Sequence, residues 1–177
     1  NTELGVSNYI KLASKFHKNS KIVYCSSGAV YGKQPGNIKN VKEDFPFLDV
    51  NSLSEVKRDY ALGKRNAESQ IIEFGASGYN VSIARCFAFY GKYLPEDGHF
   101  AHSSFLKSAK MGEDIVVNAD HEVIRSYMHA DDLVDSLINV ALNSKPECPI
   151  VNVGSDQSIS IFSLAKNIAK EYNVKVI

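Results

Sequence analysis

The stretch Lys21-Ile22-Val23-Tyr24-Cys25-Ser26-Ser27-Gly28-Ala29-Val30-Tyr31-Gly32 decides the fold. Its first five residues form a short apolar run with β-branched members, the pattern of a buried strand. A loop of small residues follows, with Gly28, Gly32, Pro35, Gly36 and Pro46 as punctuation. Upstream, residues 3–18 place Leu4, Tyr9, Ile10, Leu12, Ala13 and Phe16 on one mostly apolar stripe and read as a helix. Downstream come a helix over about 59–75 and a strand over 80–85, then an irregular stretch marked by Gly91, Pro95 and Gly98. A helix over 101–111 is ended by Gly112, and 114–118 and 123–127 read as short strands. Residues 131–142 form an amphipathic helix whose Asp131 and Asp132 suit its positive end. A strand over 150–153, a helix over 161–172 and the start of a last strand complete the chain. Helices alternating with short apolar strands indicate an α/β protein with a mainly parallel sheet. Such sheets carry their functional loops at the carboxyl ends of the strands, here just after Cys25, Arg85 and Val153.

The 177 residues are 44% hydrophobic and 23% charged, a globular composition. A formal net charge of zero gives no broad basic excess, so neither nucleic acid nor an anionic membrane is an expected partner, while a local basic site for a phosphate-bearing small molecule stays open. Cys25, Cys86 and Cys148 form no disulfide framework and no C-x-x-C pair, which suits reduced thiols in an intracellular, cytoplasmic protein. Neither a signal peptide nor a membrane span is visible. His99 and His102 are three apart, but no third ligand accompanies them and no metal is expected; Gly98-His99-Phe100 reads as a loop near the substrate.

Tyr60 and Lys64 are four residues apart at the start of the second helix and therefore share a face. A tyrosine hydroxyl ordinarily titrates near pH ~10. A neighbouring ammonium favours the phenolate, which can then move a proton to or from a sugar hydroxyl while hydride is exchanged with a cofactor. A serine at a strand end can hydrogen-bond the same oxygen. The Tyr-x-x-x-Lys spacing by itself is a weak signal; its place downstream of a strand that ends in serines gives it weight.

Four motifs occur in order over about 110 residues: Ser27-Gly28-Ala29-Val30-Tyr31-Gly32; Tyr60-Ala61-Leu62-Gly63-Lys64; Arg85-Cys86-Phe87-Ala88-Phe89-Tyr90-Gly91; and Val123-Ile124-Arg125 running on to Asp131-Asp132-Leu133. Together with Val151-Asn152-Val153-Gly154, they resemble the extended short-chain dehydrogenases, the NAD-dependent epimerase/dehydratase family that acts on nucleotide sugars. The resemblance implies a Rossmann-type sheet and a catalytic triad of Ser27, Tyr60 and Lys64. Ser27 would bind the reacting sugar oxygen, Tyr60 would be the acid/base, and Lys64 would lower its pKa and hold the nicotinamide ribose. Phe87 would approach the nicotinamide of NAD or NADP. Ala88 and Arg125 would face the nucleoside-diphosphate sugar, Arg125 through a diphosphate oxygen, as a planar multi-donor cation suits. A homodimer through residues 3–18 and 59–75 is also implied.

Three departures refine this. The family's glycine-rich turn, which receives the cofactor pyrophosphate at a helix N-terminus, has no counterpart here, so the chain reads as a fragment lacking its N-terminal half. On that reading residues 1–90 are the C-terminal part of the dinucleotide-binding domain. Residues 91–177 are mainly a smaller substrate-binding region, with 114–153 able to return to the main sheet. Ala88 stands where many members carry a substrate-binding asparagine. Gly28 and Ala29 stand where sugar dehydratases carry acids, which favours a 4-epimerase or 4-ketoreductase. A dehydratase, a uronate decarboxylase and a non-catalytic ligand-binding relative are the alternatives.

Overall fold

The computed structural model describes residues 2–36, 38, 40–94, 100–119 and 121–177. In chain order these form α1 (Thr2–Phe16), β1 (Lys21–Ser27), a 3-10 turn (Gly28–Tyr31), α2 (Glu55–Ala76), β2 (Asn80–Cys86) and β3 (Phe89–Tyr90). There follow α3 (Ala101–Lys110), β4 (Ile124–Ser126), β5 (Met128–His129), α4 (Ala130–Leu142), β6 (Ile150–Val153), β7 (Ser158–Ser160) and α5 (Ile161–Tyr172). The chain divides into two compact units, residues 1–87 with 134–153 and residues 88–133 with 154–177.

The first unit holds the parallel sheet, in the order β1-β2-β6. Ile22 pairs with Val81 and Tyr24 with Ile83, so β-branched and aromatic side chains fill alternate rows on one face of the sheet. Helices α1 and α2 pack beside each other, and Ala13, Ile22, Ala67, Ile71, Phe74, Val81 and Ile83 form the core. The stripe expected on the first helix is only partly used. Val6 and Ala13 are buried, whereas Leu4, Leu12 and Phe16 remain exposed.

In the second unit α3 packs on α5 around Phe105, Ala109, Ile115, Ala165 and Ile168. Helix α5 starts where the Ser160 hydroxyl accepts the Ser163 amide and stops at Asn173, whose φ of 56° is left-handed. Two short ladders complete it, β3 parallel to β5 and β4 antiparallel to β7.

The α/β class and parallel sheet expected from the sequence are present. Three local expectations change. Helix α2 begins at Glu55, four residues before the expected start, and β1 runs on through Ser27. The expected strand at 114–118 is a single bridge, Ile115 to Val176, in which the incipient last strand also ends. Gly112 turns the chain at φ 73° just before it, and the Asp114 carboxylate takes the Lys175 amide that a regular ladder would use. No helix among the described residues is long and apolar enough to cross a membrane.

Candidate functional site

Ser27 is the last residue of β1, and its Oγ accepts the Ala29 amide at 3.2 Å, capping the 3-10 turn. The turn ends at Gly32, whose φ of 75° puts it in the left-handed region, and a Cβ there would sit 3.0 Å from the Leu48 carbonyl oxygen. Gly28 has no side chain to keep the Phe87 ring away; that ring stacks on Tyr31 with centroids 6.4 Å apart. Phe87 thus lies directly after β2 and over the turn that follows Ser27.

Helix α2 brings its polar face to the same strand end. Lys64 Nζ donates to the Cys25 carbonyl at 2.8 Å and lies 5.8 Å from the centre of the Tyr60 ring and 5.0 Å from that of Tyr24. Lys64 is therefore joined both to its helix neighbour Tyr60 and to the strand carrying Ser27. Tyr60 is exposed, leaving its hydroxyl open to a ligand. The Cys25 thiol is pulled down to about 6, first by the hydrogen bond from Cys86 and further by the Lys64 charge, against burial. The Cys86 thiol moves the other way, held protonated by that bond and by burial.

One turn beyond Lys64, Glu68 is buried and sits at the centre of a polar network that the sequence reading did not single out. Ser26 Oγ donates to its Oε1 at 2.6 Å, and Arg85 clasps both carboxylate oxygens, with Nη2 to Oε2 at 2.8 Å. Arg85 Nη1 also donates to the Tyr31 hydroxyl at 2.7 Å and the Glu43 carbonyl at 3.0 Å, and Tyr31 donates to Asn152 Oδ1 at 2.8 Å. Burial alone would lower the Arg85 pKa, but the bonds to Glu68 and Tyr31 outweigh it and the net shift is upward. The signal for this network was present in the sequence. Arg85 lies in a strand of otherwise buried small and apolar residues, and Glu68 lies among Ala61, Ala67 and Ile71 on the buried face of α2. A buried charge calls for a buried partner.

Ala88 and Arg125 belong to the second unit. The Ala88 carbonyl accepts the Met128 amide at 3.1 Å, and Arg125 is exposed, its guanidinium donating to its neighbour's Ile124 carbonyl. Beside them Tyr90 packs against His102 and His129, and burial lowers the His102 pKa. His99 and Gly98 lie outside the described residues. Among the described residues no group of three or more His, Cys, Asp or Glu side chains could hold a metal ion.

The donor set at the carboxyl end of β1 suits a ligand rich in hydroxyls. Ser27 and Tyr60 can each donate or accept, and Lys64 supplies a cation with free donors. A groove of about 590 Å³ lies elsewhere, between α1 and the side of β1 that pairs with no strand among the described residues; Val6, Tyr9, Ile22 and Tyr24 line it.

Comparison with known proteins gives a consistent result. The sequence model of the NAD dependent epimerase/dehydratase family matches residues 2–154. Over 166 residues the chain is 30% identical to a UDP-N-acetyl-alpha-D-glucosaminuronate decarboxylase of Bacillus cytotoxicus, covering 93% of this chain and 49% of that protein. It is 26% identical to UDP-glucuronic acid decarboxylase 3 of Arabidopsis thaliana, covering 98% of this chain and 48% of the relative. Among solved structures, a Thermus thermophilus UDP-glucose 4-epimerase in complex with NAD superposes with a TM-score of 0.82 at 20% identity, over 99% of this chain and 56% of the other. The chain thus spans about half the length of the curated relatives it matches.

Proposed function

The chain belongs to the NAD-dependent epimerase/dehydratase family, and we propose that it carries the catalytic residues of an NAD-dependent nucleotide-sugar 4-epimerase or 4-ketoreductase. The observation that carries this reading is the position of Lys64, between the Tyr60 ring and the strand that ends in Ser27. NAD, when bound, supplies the acceptor and donor of hydride. Tyr60, with its hydroxyl exposed, takes the proton of the sugar hydroxyl and returns it to the product. Lys64 favours the phenolate by its charge and offers its ammonium to a ribose hydroxyl. Ser27 donates to the reacting sugar oxygen, Phe87 flanks the nicotinamide, and Arg125 pairs with the diphosphate. Ala88 offers the substrate no side-chain hydrogen bond. Gly28 and Ala29 bring no carboxyl group to the turn, which supports exchange at one carbon over elimination of water.

A second reading, uronate decarboxylation, is favoured by the two decarboxylases described above. On this reading Ser27, Tyr60 and Lys64 would keep the same roles. Mass analysis of the product separates the two readings: an unchanged mass after turnover of a UDP-hexose supports epimerisation, and loss of carbon dioxide from a UDP-uronate supports the second reading. The whole enzyme is proposed to be a homodimer through α1 and α2, supported by exposed Leu4, Leu12 and Phe16 on α1 and Leu62 and Ile72 on α2.

A further inference from the structure

Ser26 of β1, Arg85 of β2 and Asn152 of β6 lie in one row across the sheet, because Ser26 registers with Arg85 and Arg85 with Asn152. The next row toward the carboxyl edge contains Ser27, paired with Cys86 and then Val153. From α2, Glu68 reaches this polar row and bonds both Ser26 and Arg85. One turn earlier, Lys64 bonds the carbonyl of Cys25. Successive turns of α2 therefore grip successive residues of β1, and Tyr60 stands one turn further along the same face.

The row also fixes the segment that follows the turn. Arg85 holds the Glu43 carbonyl, the Asn152 amide donates to Glu43 Oε1 at 2.8 Å, and Asn152 Nδ2 donates to the Val41 carbonyl at 2.9 Å. Arg65 of α2 holds the Val30 and Leu48 carbonyls at 2.8 and 2.7 Å.

A buried ion pair is a poor way to gain stability, since well-packed apolar side chains of similar volume do as well or better. It does impose a register that apolar contacts leave free to slide. Resting on the catalytic reading above, we infer that Glu68 and Arg85 are positioning residues: their network sets the rotation and height of α2 against β1, and so the placement of Tyr60 and Lys64 relative to Ser27.

The test uses the full-length enzyme. In the apolar double variant Glu68→Leu/Arg85→Met the fold is kept, with a melting temperature at or above that of the single variants. Its kcat falls on the order of 10²-fold, the loss expected of a displacement of about 1 Å, while KM for the nucleotide sugar stays within about threefold. The milder Ser26→Ala, which leaves the ion pair intact, lowers kcat by about fivefold at unchanged melting temperature. Amide exchange at residues 26–29, read without substrate, speeds in both variants. The inference is overturned if the folded variants keep the parent kcat within twofold, or if kcat falls only in proportion to the folded fraction. Tyr60→Phe serves as the control. If that variant turns over normally while exchange at 26–29 still speeds in the others, the acid/base reading fails and the positioning role stands.

Discussion

Replacing Glu68 by leucine should be one of the most damaging single changes in the first unit. The side chain is 3% exposed and accepts four hydrogen bonds, three from Arg85 and one from Ser26. Its removal leaves a guanidinium that is 4% exposed with only the Tyr31 hydroxyl and the Glu43 carbonyl as partners. Breaking a buried pair in this way costs about 3–5 kcal/mol. The two remaining acceptors place Glu68→Leu toward the lower figure. Arg85→Met belongs toward the upper one, since it strands a carboxylate with one hydroxyl donor, from Ser26. At about 2–4 °C per kcal/mol for a chain of this size, melting falls by about 6–20 °C. Removing both partners leaves no uncompensated charge, so the double variant should exceed the less stable single by about 2 kcal/mol or more. Urea titration of all four proteins at fixed pH measures the cycle. Additive losses, with the double variant least stable, would refute the claim that the two charges compensate one another.

Other outcomes follow from the same geometry. Cys25 is exposed with its thiol pulled down to about 6, so its alkylation by iodoacetamide should reach half its limiting rate well below the ordinary thiol value of about 8.5. Cys86→Ala removes the largest cause and should move that midpoint upward; a midpoint indifferent to Cys86 contradicts the assignment. Ile71→Ala empties a site 2% exposed in the core and should cost about 2–5 kcal/mol by urea titration, with a loss under 1 kcal/mol counting against the packing described. In sedimentation equilibrium the intact enzyme should run as a dimer, and a charge at Leu12 or Phe16 should dissociate it; a monomer at high concentration rejects the α1 and α2 interface.

Much of the fold was legible because its signals are local. The apolar run 21–25 and the glycines after it predict a strand followed by a loop; β1 and the 3-10 turn stand there, with Val30 and Tyr31 of the turn buried. Lys64 beside Tyr60 follows from helical spacing alone. What escaped depends on distant partners. Ladders β3 with β5 and β4 with β7 are two or three residues long, too short to impose alternation on the sequence. Glu68 and Arg85 stand out locally as charges among buried residues, but that they pair with each other and with Ser26 depends on a strand register that no local pattern encodes. The start of α2 was missed because Val56 and Lys57 are exposed and add nothing to an apolar stripe, and Ser54 makes no side-chain cap bond.

In the proposed reaction Tyr60, assisted by Lys64 and Ser27, moves the proton during hydride exchange at a sugar carbon. Turnover of a UDP-sugar by the full-length Tyr60→Phe enzyme, with NAD affinity measured beside it, tests this most directly. The expected result is a loss of kcat of about 10²–10⁴-fold with NAD affinity kept. Turnover at the parent rate in a variant that still binds NAD would contradict it.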